Sequence, residues 1–276
     1  MTVDAHHHVW DLSVRDQDWI PEHSPIRRDF TLADLEPEAR AAGVDRTVLV
    51  QTITVPEETP EFLALAASHD LIAGVVGWTD LTRPDVADEL ARLRELPGGH
   101  HLKGIRHQVQ AEPDPDWLLR PDVRRGLAAV AAAGLVYDLI VLPHHLPACA
   151  KAAATLPELT FVLDHLAKPP IASGTLAPWS SGLQALAALP NTTAKLSGLL
   201  TEASVTWTVT DLRPYTDTAL QAFGPSRLMF GSDWPVCTER AAYGEVLDIT
   251  RELTGDLSPA ERTQLFGATA TRVYDL

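Results

Sequence analysis

This 276-residue sequence predicts a (β/α)8 barrel, the TIM-barrel class of α/β fold, on three observations. Short apolar runs rich in β-branched residues alternate with longer stretches of helical periodicity, eight times over. Runs such as "TVLV" (47–50) and "IAGVVG" (72–77) are almost continuously apolar, as parallel strands covered on both faces are. No composition break or flexible linker divides the chain, so residues 1–276 read as a single domain, a size this barrel commonly reaches. A doubly wound open sheet is the alternative. No Gly-rich phosphate loop of either common kind follows the first strand, which weakens a nucleotide-binding reading.

The elements follow in order. The first strand is "VDAHHHVW" (3–10), and the helix after it (32–42) starts at "LADLE" behind the cap residue Thr31. "RTVLVQ" (46–51) leads into helix 58–69, and "LIAGVVGW" (71–78) into helix 84–96, opened by Pro84 and Asp85. "HLKGIRH" (101–107) precedes helix 121–133, which begins at Pro121 and Asp122. "LVYDLIV" (135–141) precedes 146–155, and "TFVLDH" (160–165) precedes 180–189. "TAKLSG" (193–198) leads to 209–223, and "RLMFGSD" (227–233) to 240–254. Gly43 and Gly134 fall just past helix ends, where a left-handed residue is needed. The segment "GLAAVAAAGLVYDLIVLP" (126–143) approaches the length of a membrane span, but Gly134 and Asp138 interrupt it. It reads as a helix followed by a buried strand.

A formal net charge of −15 disfavours nucleic acid and anionic membranes as partners, since both require an excess of Lys and Arg. The two cysteines, Cys149 and Cys237, form neither a disulfide framework nor a C-x-x-C pair, and no basic region followed by an apolar stretch opens the chain. A reducing, cytoplasmic setting is expected. The adjacent histidines of "DAHHHVW" run on into Val9 and Trp10 rather than into a Gly/Ser linker, unlike an affinity tag.

In a barrel the chemistry gathers at the carboxyl ends of the strands. Alternation along the first strand puts His6 and His8 on one face, with Asp4 a step deeper, and turns His7 away. Two imidazoles so spaced can hold a metal ion or polarise a carbonyl. His165 follows Phe161 and Leu163 in the same alternation, with Asp164 on the opposite face and Lys168 in the loop beyond. Asp233 ends the last strand, which barrel closure sets beside the first. A carboxylate beside two histidines can ligate a divalent ion, take a proton from water, or both. Trp234 and Pro235 then wall the cleft. "HLKGIRHQVQ" gathers Lys103, Arg106, His107, Gln108 and Gln110 as donors for hydroxyls, a carbonyl or a carboxylate, with Lys103 and His107 on one face and Arg106 on the other. Trp10 and Trp78 close two strands and could stack on a sugar ring. His144 and His145 are candidate rim residues, and Lys195, Ser197 and Glu202 receive no role. Neither a G-x-S-x-G elbow nor an H-E-x-x-H helix is present, so serine-hydrolase and zincin readings have no support.

"DAHHHVWD", "KGIRHQVQ", "FVLDHLAKP", "KLSGL" followed by "TEA", and "DLRPY" ahead of "AFGPSRLMFGSDWPV" occur in an order and spacing that resembles the amidohydrolase-related lactonases, over nearly the whole chain. Among them the likeness is to sugar-lactone hydrolases acting on L-fucono- and L-rhamnono-lactones. The resemblance implies a distorted TIM barrel and hydrolysis of a cyclic ester, with His6, His8, His165 and Asp233 as the catalytic set and as the ligands of one divalent metal, Zn²⁺ first. Metal-independent hydrolysis, with the histidines polarising the carbonyl, is the variant some relatives use. The wider superfamily often adds a fifth-strand histidine and a carboxylated lysine around a second metal. The fifth strand here has no histidine, which argues against a binuclear centre. On this reading Asp233 takes the proton from water, and Lys103, Arg106, His107, Lys168, Trp10, Trp78 and Trp234 bind a small-molecule lactone. A metal-dependent decarboxylase, a hydrolase of dicarboxylate- or aromatic-derived lactones, and a non-catalytic binding barrel are the competing readings.

Overall fold

In the computed structural model, which describes residues 1–276, eight parallel strands form one sheet in chain order. They are β1 (Val3–His7), β2 (Arg46–Val50), β3 (Ile72–Gly77), β4 (Leu102–His107), β5 (Val136–Leu139), β6 (Phe161–Leu163), β7 (Thr192–Leu196) and β8 (Leu228–Phe230). The sheet closes on itself just past β8: the Asp233 amide donates to His6 O at 2.8 Å, and the His8 amide to Trp234 O at 2.7 Å. The predicted (β/α)8 barrel is therefore the fold. Around it run α1 (Leu32–Ala41), α2 (Glu58–Ser68), α3 (Val86–Glu95), α4 (Pro121–Ala132), α5 (Leu146–Thr155), α6 (Trp179–Ala187), α7 (Leu199–Glu202), α8 (Val209–Phe223), α9 (Tyr243–Leu253), α10 (Pro259–Thr263) and α11 (Thr269–Tyr274). Thr31 caps α1 in a capping box with Asp34, and Gly43 and Gly134 take the left-handed φ of 78° and 66° expected after α1 and α4. The stretch 126–143 is indeed helix then strand, and no helix is long and apolar enough to cross a membrane.

Every predicted strand appears, but several stop early. The first ends at His7 instead of Trp10, the sixth at Leu163 instead of His165, and the eighth at Phe230 instead of Asp233. In each case the residues beyond the strand end include polar ones at the barrel mouth: His8, then Asp164 and His165, then Ser232 and Asp233. α7 and the closing pair α10 and α11 were not foreseen. The sequence signal for α10 is a full cap: Ser258 exchanges hydrogen bonds with Glu261, ahead of Pro259.

The barrel interior is filled at its base by Val3, Ala5, Val48, Val50, Val76, Val136, Val162 and Met229, and α11 covers them with Ala270 and Tyr274. A larger apolar layer packs the outward strand faces, such as Leu49, Val75, Phe161 and Leu163, against the helices. This partition corrects two alternations. In β6 the interior face is Val162 and Asp164, so Asp164 points inward and not to the opposite side. In β1 the pairing register with β2 slips between Asp4 and His7. The bulge lets Ala5 and His6 both face inward and breaks the simple alternation. Asp4 is consequently not beneath the histidines. It accepts hydrogen bonds from Ser232 (amide 2.8 Å, hydroxyl 2.6 Å), from the His6 amide at 3.1 Å and from Tyr243 of α9 at 3.0 Å. These bonds pin the bulge to the closing seam.

Candidate active site

Four side chains converge over the carboxyl end of the barrel. Nε2 of His6 and Nε2 of His8 are 3.1 Å apart. Asp233 Oδ1 lies 3.8 Å from His6 Nε2, 3.6 Å from His8 Nε2 and 3.7 Å from His165 Nε2. All four are almost fully buried. His165 comes to the mouth by an uncommon route. After β6 the backbone passes through four successive left-handed residues, His165 to Lys168, with φ between 50° and 59°. That turn brings the imidazole back over the interior although its position on an extended strand would face the helices. Asp233 sits in the same left-handed region, φ 59°. Strain of about 1–3 kcal/mol per such residue persists only where the surroundings over-determine it, and functional sites are where it gathers.

Each ring is held from behind. Nδ1 of His8 lies 2.7 Å from Val50 O, Nδ1 of His165 is 2.8 Å from Ser197 Oγ, and Nδ1 of His6 is 3.1 Å from Lys195 Nζ. Gly198 makes room for His165: it has φ 67°, and a Cβ there would lie 2.8 Å from the imidazole Cγ and Nδ1. Gly198→Ala should therefore displace the ring and lower kcat/KM by about 100-fold, the usual consequence of a shift of about 1 Å, with the far-UV circular dichroism unchanged. A loss under threefold would show that the ring's placement does not depend on this glycine.

Burial, first of all, lowers the pKa of all three histidines, His165 to about 4, so their rings are neutral near pH 7. Burial would raise Asp233, but His165, His8 and Lys168 outweigh it and hold the carboxyl below its ordinary value. A carboxylate and three neutral imidazoles are a donor set matched to one divalent ion. Ligands about 2.0–2.2 Å from a tetrahedral Zn²⁺ stand roughly 3.3–3.6 Å apart, close to the separations here. The ligand atoms of His6, His165 and Asp233 also fall within 4.8 Å of one another. No fifth-strand histidine joins them; the inward residue there is Asp138.

Below the histidines lies a buried ionic network centred on Lys195, which sequence reading left without a role. Lys195 Nζ is 2.5 Å from Asp138 Oδ2 and 2.9 Å from Asp164 Oδ1. Tyr274 donates to both oxygens of Asp138, at 3.0 and 2.9 Å. Arg106 donates to Asp164 Oδ2 at 2.9 Å and to Gln51 Oε1 at 2.9 Å, and it also reaches Gln51 O. Two cations thus face two carboxylates, so the buried charges balance.

Above the histidines opens a cavity of about 160 Å³ that includes Lys168, Glu202, Thr52, Gln108, Gln110 and Trp19 in its lining. The structure moves several expected binding residues elsewhere. Lys103 is at the amino-terminal end of β4 and donates to Asp275 O at the barrel base, the opposite end from the site. His107 faces outward: Glu112 lies 2.7 Å from its Nε2, the Trp78 indole N–H donates to its Nδ1, and Trp117 stacks on its ring. With both nitrogens taken, neither His107 nor Trp78 has a polar group left for a ligand. Trp10 donates to Arg28 O and packs edge-on against Phe30, as does the buried Trp234. The tryptophan that reaches the cavity is Trp19, from the β1–α1 loop, where no periodicity marks it. Arg106, on the other face of β4 from Lys103 and His107, does reach the cavity, and Lys168 is at the rim. His144 and His145 pack with their rings tilted against each other outside the cavity, His145 accepting the Leu142 amide. His7 does face away from the interior, yet it is fully buried and neither ring nitrogen has a partner.

The chain belongs to the amidohydrolase family, whose model matches residues 3–276. The particular relatives are informative. It is 38% identical over 277 residues to an L-fucono-1,5-lactonase of Burkholderia ambifaria, covering 99% of this chain and 94% of that one. It is 40% identical to an L-fucono-1,5-lactonase of Burkholderia multivorans, covering 100% of this chain and 96% of the relative. The crystal structure of an amidohydrolase from Burkholderia multivorans with bound zinc superposes with a TM-score of 0.94 at 39% identity, covering 100% of this chain and 99% of that one.

Proposed function

We propose that this protein is a lactonase that opens L-fucono-1,5-lactone, or a lactone of closely similar shape, to the free acid. The observation that carries the reading is Asp233: an ionised carboxylate set 3.6–3.8 Å from three neutral imidazole nitrogens, in a chain 38–40% identical to L-fucono-1,5-lactonases along nearly its whole length. Asp233 takes a proton from the attacking water and returns it to the ring oxygen as the C–O bond breaks. Where no ion is held, the Nε2–H of His6 would meet the carbonyl oxygen, where negative charge develops. His6, His165 and Asp233, joined by His8 with its Nε2 3.6 Å from Asp233, are the residues that would hold one divalent ion, Zn²⁺ on the strength of the zinc-bound relative, and such an ion would supply Lewis-acid polarisation of the carbonyl.

Lys168, Glu202, Gln108, Gln110 and Thr52 offer both donors and acceptors to the hydroxyls of a sugar lactone, and Trp19 offers a face to its ring. Burial raises the Glu202 pKa while Lys168 opposes it, which suits a carboxyl shared between a cation and a hydroxyl. The buried, unpaired Cys149 and Cys237 fit a reducing, cytoplasmic setting, and the barrel is expected to act as one domain.

The test is a pH-indicator assay of the purified protein against a panel of aldonolactones, with metal content measured on the same sample. Acid release should be fastest from L-fucono-1,5-lactone. Absence of acid release from every aldonolactone, with carbon dioxide released from an unsaturated acid instead, would replace this reading with that of a decarboxylase.

A further inference from the structure

Among the three site histidines, only His6 has a cation behind it. The carbonyl of Val50 can only accept, so His8 carries its proton on Nδ1 and presents a lone pair at Nε2. The 3.1 Å contact between the two Nε2 atoms then needs a proton on His6 Nε2. That leaves His6 Nδ1 as an acceptor, and Lys195, 3.1 Å away, is the donor it meets. Both ends of the chain of bonds demand the same tautomer. Arg106 also approaches His6 Nε2, but at 3.4 Å, the longest of these contacts. A metal ion requires the reverse, because His6 Nε2 must then offer a lone pair and Nδ1 must carry the proton. An acceptor for that proton is already in place. Asp164 Oδ1 is 3.4 Å from His6 Nδ1, buried, and without a hydrogen-bond partner of good geometry, although Lys195 lies within ion-pair distance.

We infer that Lys195 and Asp164 act as opposed positioning residues on His6 Nδ1, Lys195 selecting the Nε2–H ring that donates to a lactone carbonyl and Asp164 the Nδ1–H ring that ligates a divalent ion. The exchange moves one proton from Nε2 to Nδ1 through solvent and changes no net charge. One barrel is thereby equipped for hydrolysis with the metal and for carbonyl polarisation by His6 without it. The inference rests on the proposed metal set. It also adds something separate, namely the tautomer of His6 in metal-free protein.

Long-range ¹H–¹⁵N correlation spectra of histidine-labelled, chelator-stripped protein read that tautomer directly, with His6 assigned from the spectrum of His6→Gln. His6 should be Nε2–H and His8 Nδ1–H, and adding Zn²⁺ should convert His6 to Nδ1–H. Competition against a chromophoric chelator should show Asp164→Asn binding Zn²⁺ about 10–100-fold more weakly than wild type, the usual cost of removing a carboxylate behind a ligating histidine. Finding His6 as Nδ1–H in the stripped protein overturns the inference, as does Zn²⁺ bound with His6 still Nε2–H. Should wild type take up no Zn²⁺ yet still open lactones, the metal-selecting role of Asp164 falls while the lactonase reading stands. Should it bind Zn²⁺ with the expected ring change but open no lactone, the lactonase reading falls and the tautomer exchange stands.

Discussion

Asp233→Asn should lower kcat for lactone opening by on the order of 10³–10⁴, with an unchanged thermal midpoint. Removing a positioned general base alone costs about 10²–10⁴. The amide also removes the one negative charge shared by the three histidine nitrogens, and so weakens any divalent ion held there. The fold does not depend on that charge. Backbone groups of residue 233 make the seam contacts, its amide donating to His6 O and its carbonyl accepting the Cys237 amide, and these persist in the amide variant. Stopped-flow acid release with a pH indicator gives the rate, and circular dichroism melting gives the control. A variant within tenfold of wild type, with its metal content matched, would remove Asp233 from the proton-transfer role.

What the sequence made legible was set by periodicity. Eight apolar runs separated by helical stretches are enough to specify a parallel barrel, because strands covered on both faces and helices of amphipathic period have one economical arrangement. Closure of that barrel then brings Asp233 to His6, so part of the site follows from topology alone. Where the reading failed, the backbone departs from ideal geometry. The β1 bulge moved Asp4 out of the interior, and the left-handed turn from His165 to Lys168 brought His165 inward from the face of Phe161 and Leu163, whereas Asp164 is inward by plain alternation with Val162. Neither departure has a glycine at its centre to announce it. Lys103 and His107 failed for another reason: a donor-rich strand carries no mark of which end is the mouth or which face is already satisfied by neighbours such as Glu112 and Asp275. Trp19 was missed because a long loop has no period to read. Lys195 in "AKLSG" was visible as a lysine on an apolar strand, and that is itself the signal. An ammonium in such a run must face buried carboxylates, and the inward positions of neighbouring strands were where to seek them.

Lys195→Met, accordingly, should cost about 3–5 kcal/mol of folding stability, the usual consequence of removing one partner from a buried ion pair. Lys195 is fully buried and touches Asp138 at 2.5 Å, Asp164 at 2.9 Å and His6 at 3.1 Å. Its removal affects the two carboxylates unequally. Asp164 keeps Arg106, whereas Asp138 keeps only the hydroxyl of Tyr274. Most of the loss should therefore trace to the charge stranded on Asp138, in a region where burial already pushes that carboxyl up to about 6 against the pull of Lys195. Adding Asp138→Asn removes the stranded charge and leaves the tyrosine bond, so the double variant should regain more than half of what Lys195→Met loses. Urea unfolding of the wild type and the two variants measures both quantities. A double variant no more stable than Lys195→Met alone would mean that the lysine supports the barrel by filling volume beneath His6 and not by neutralising Asp138.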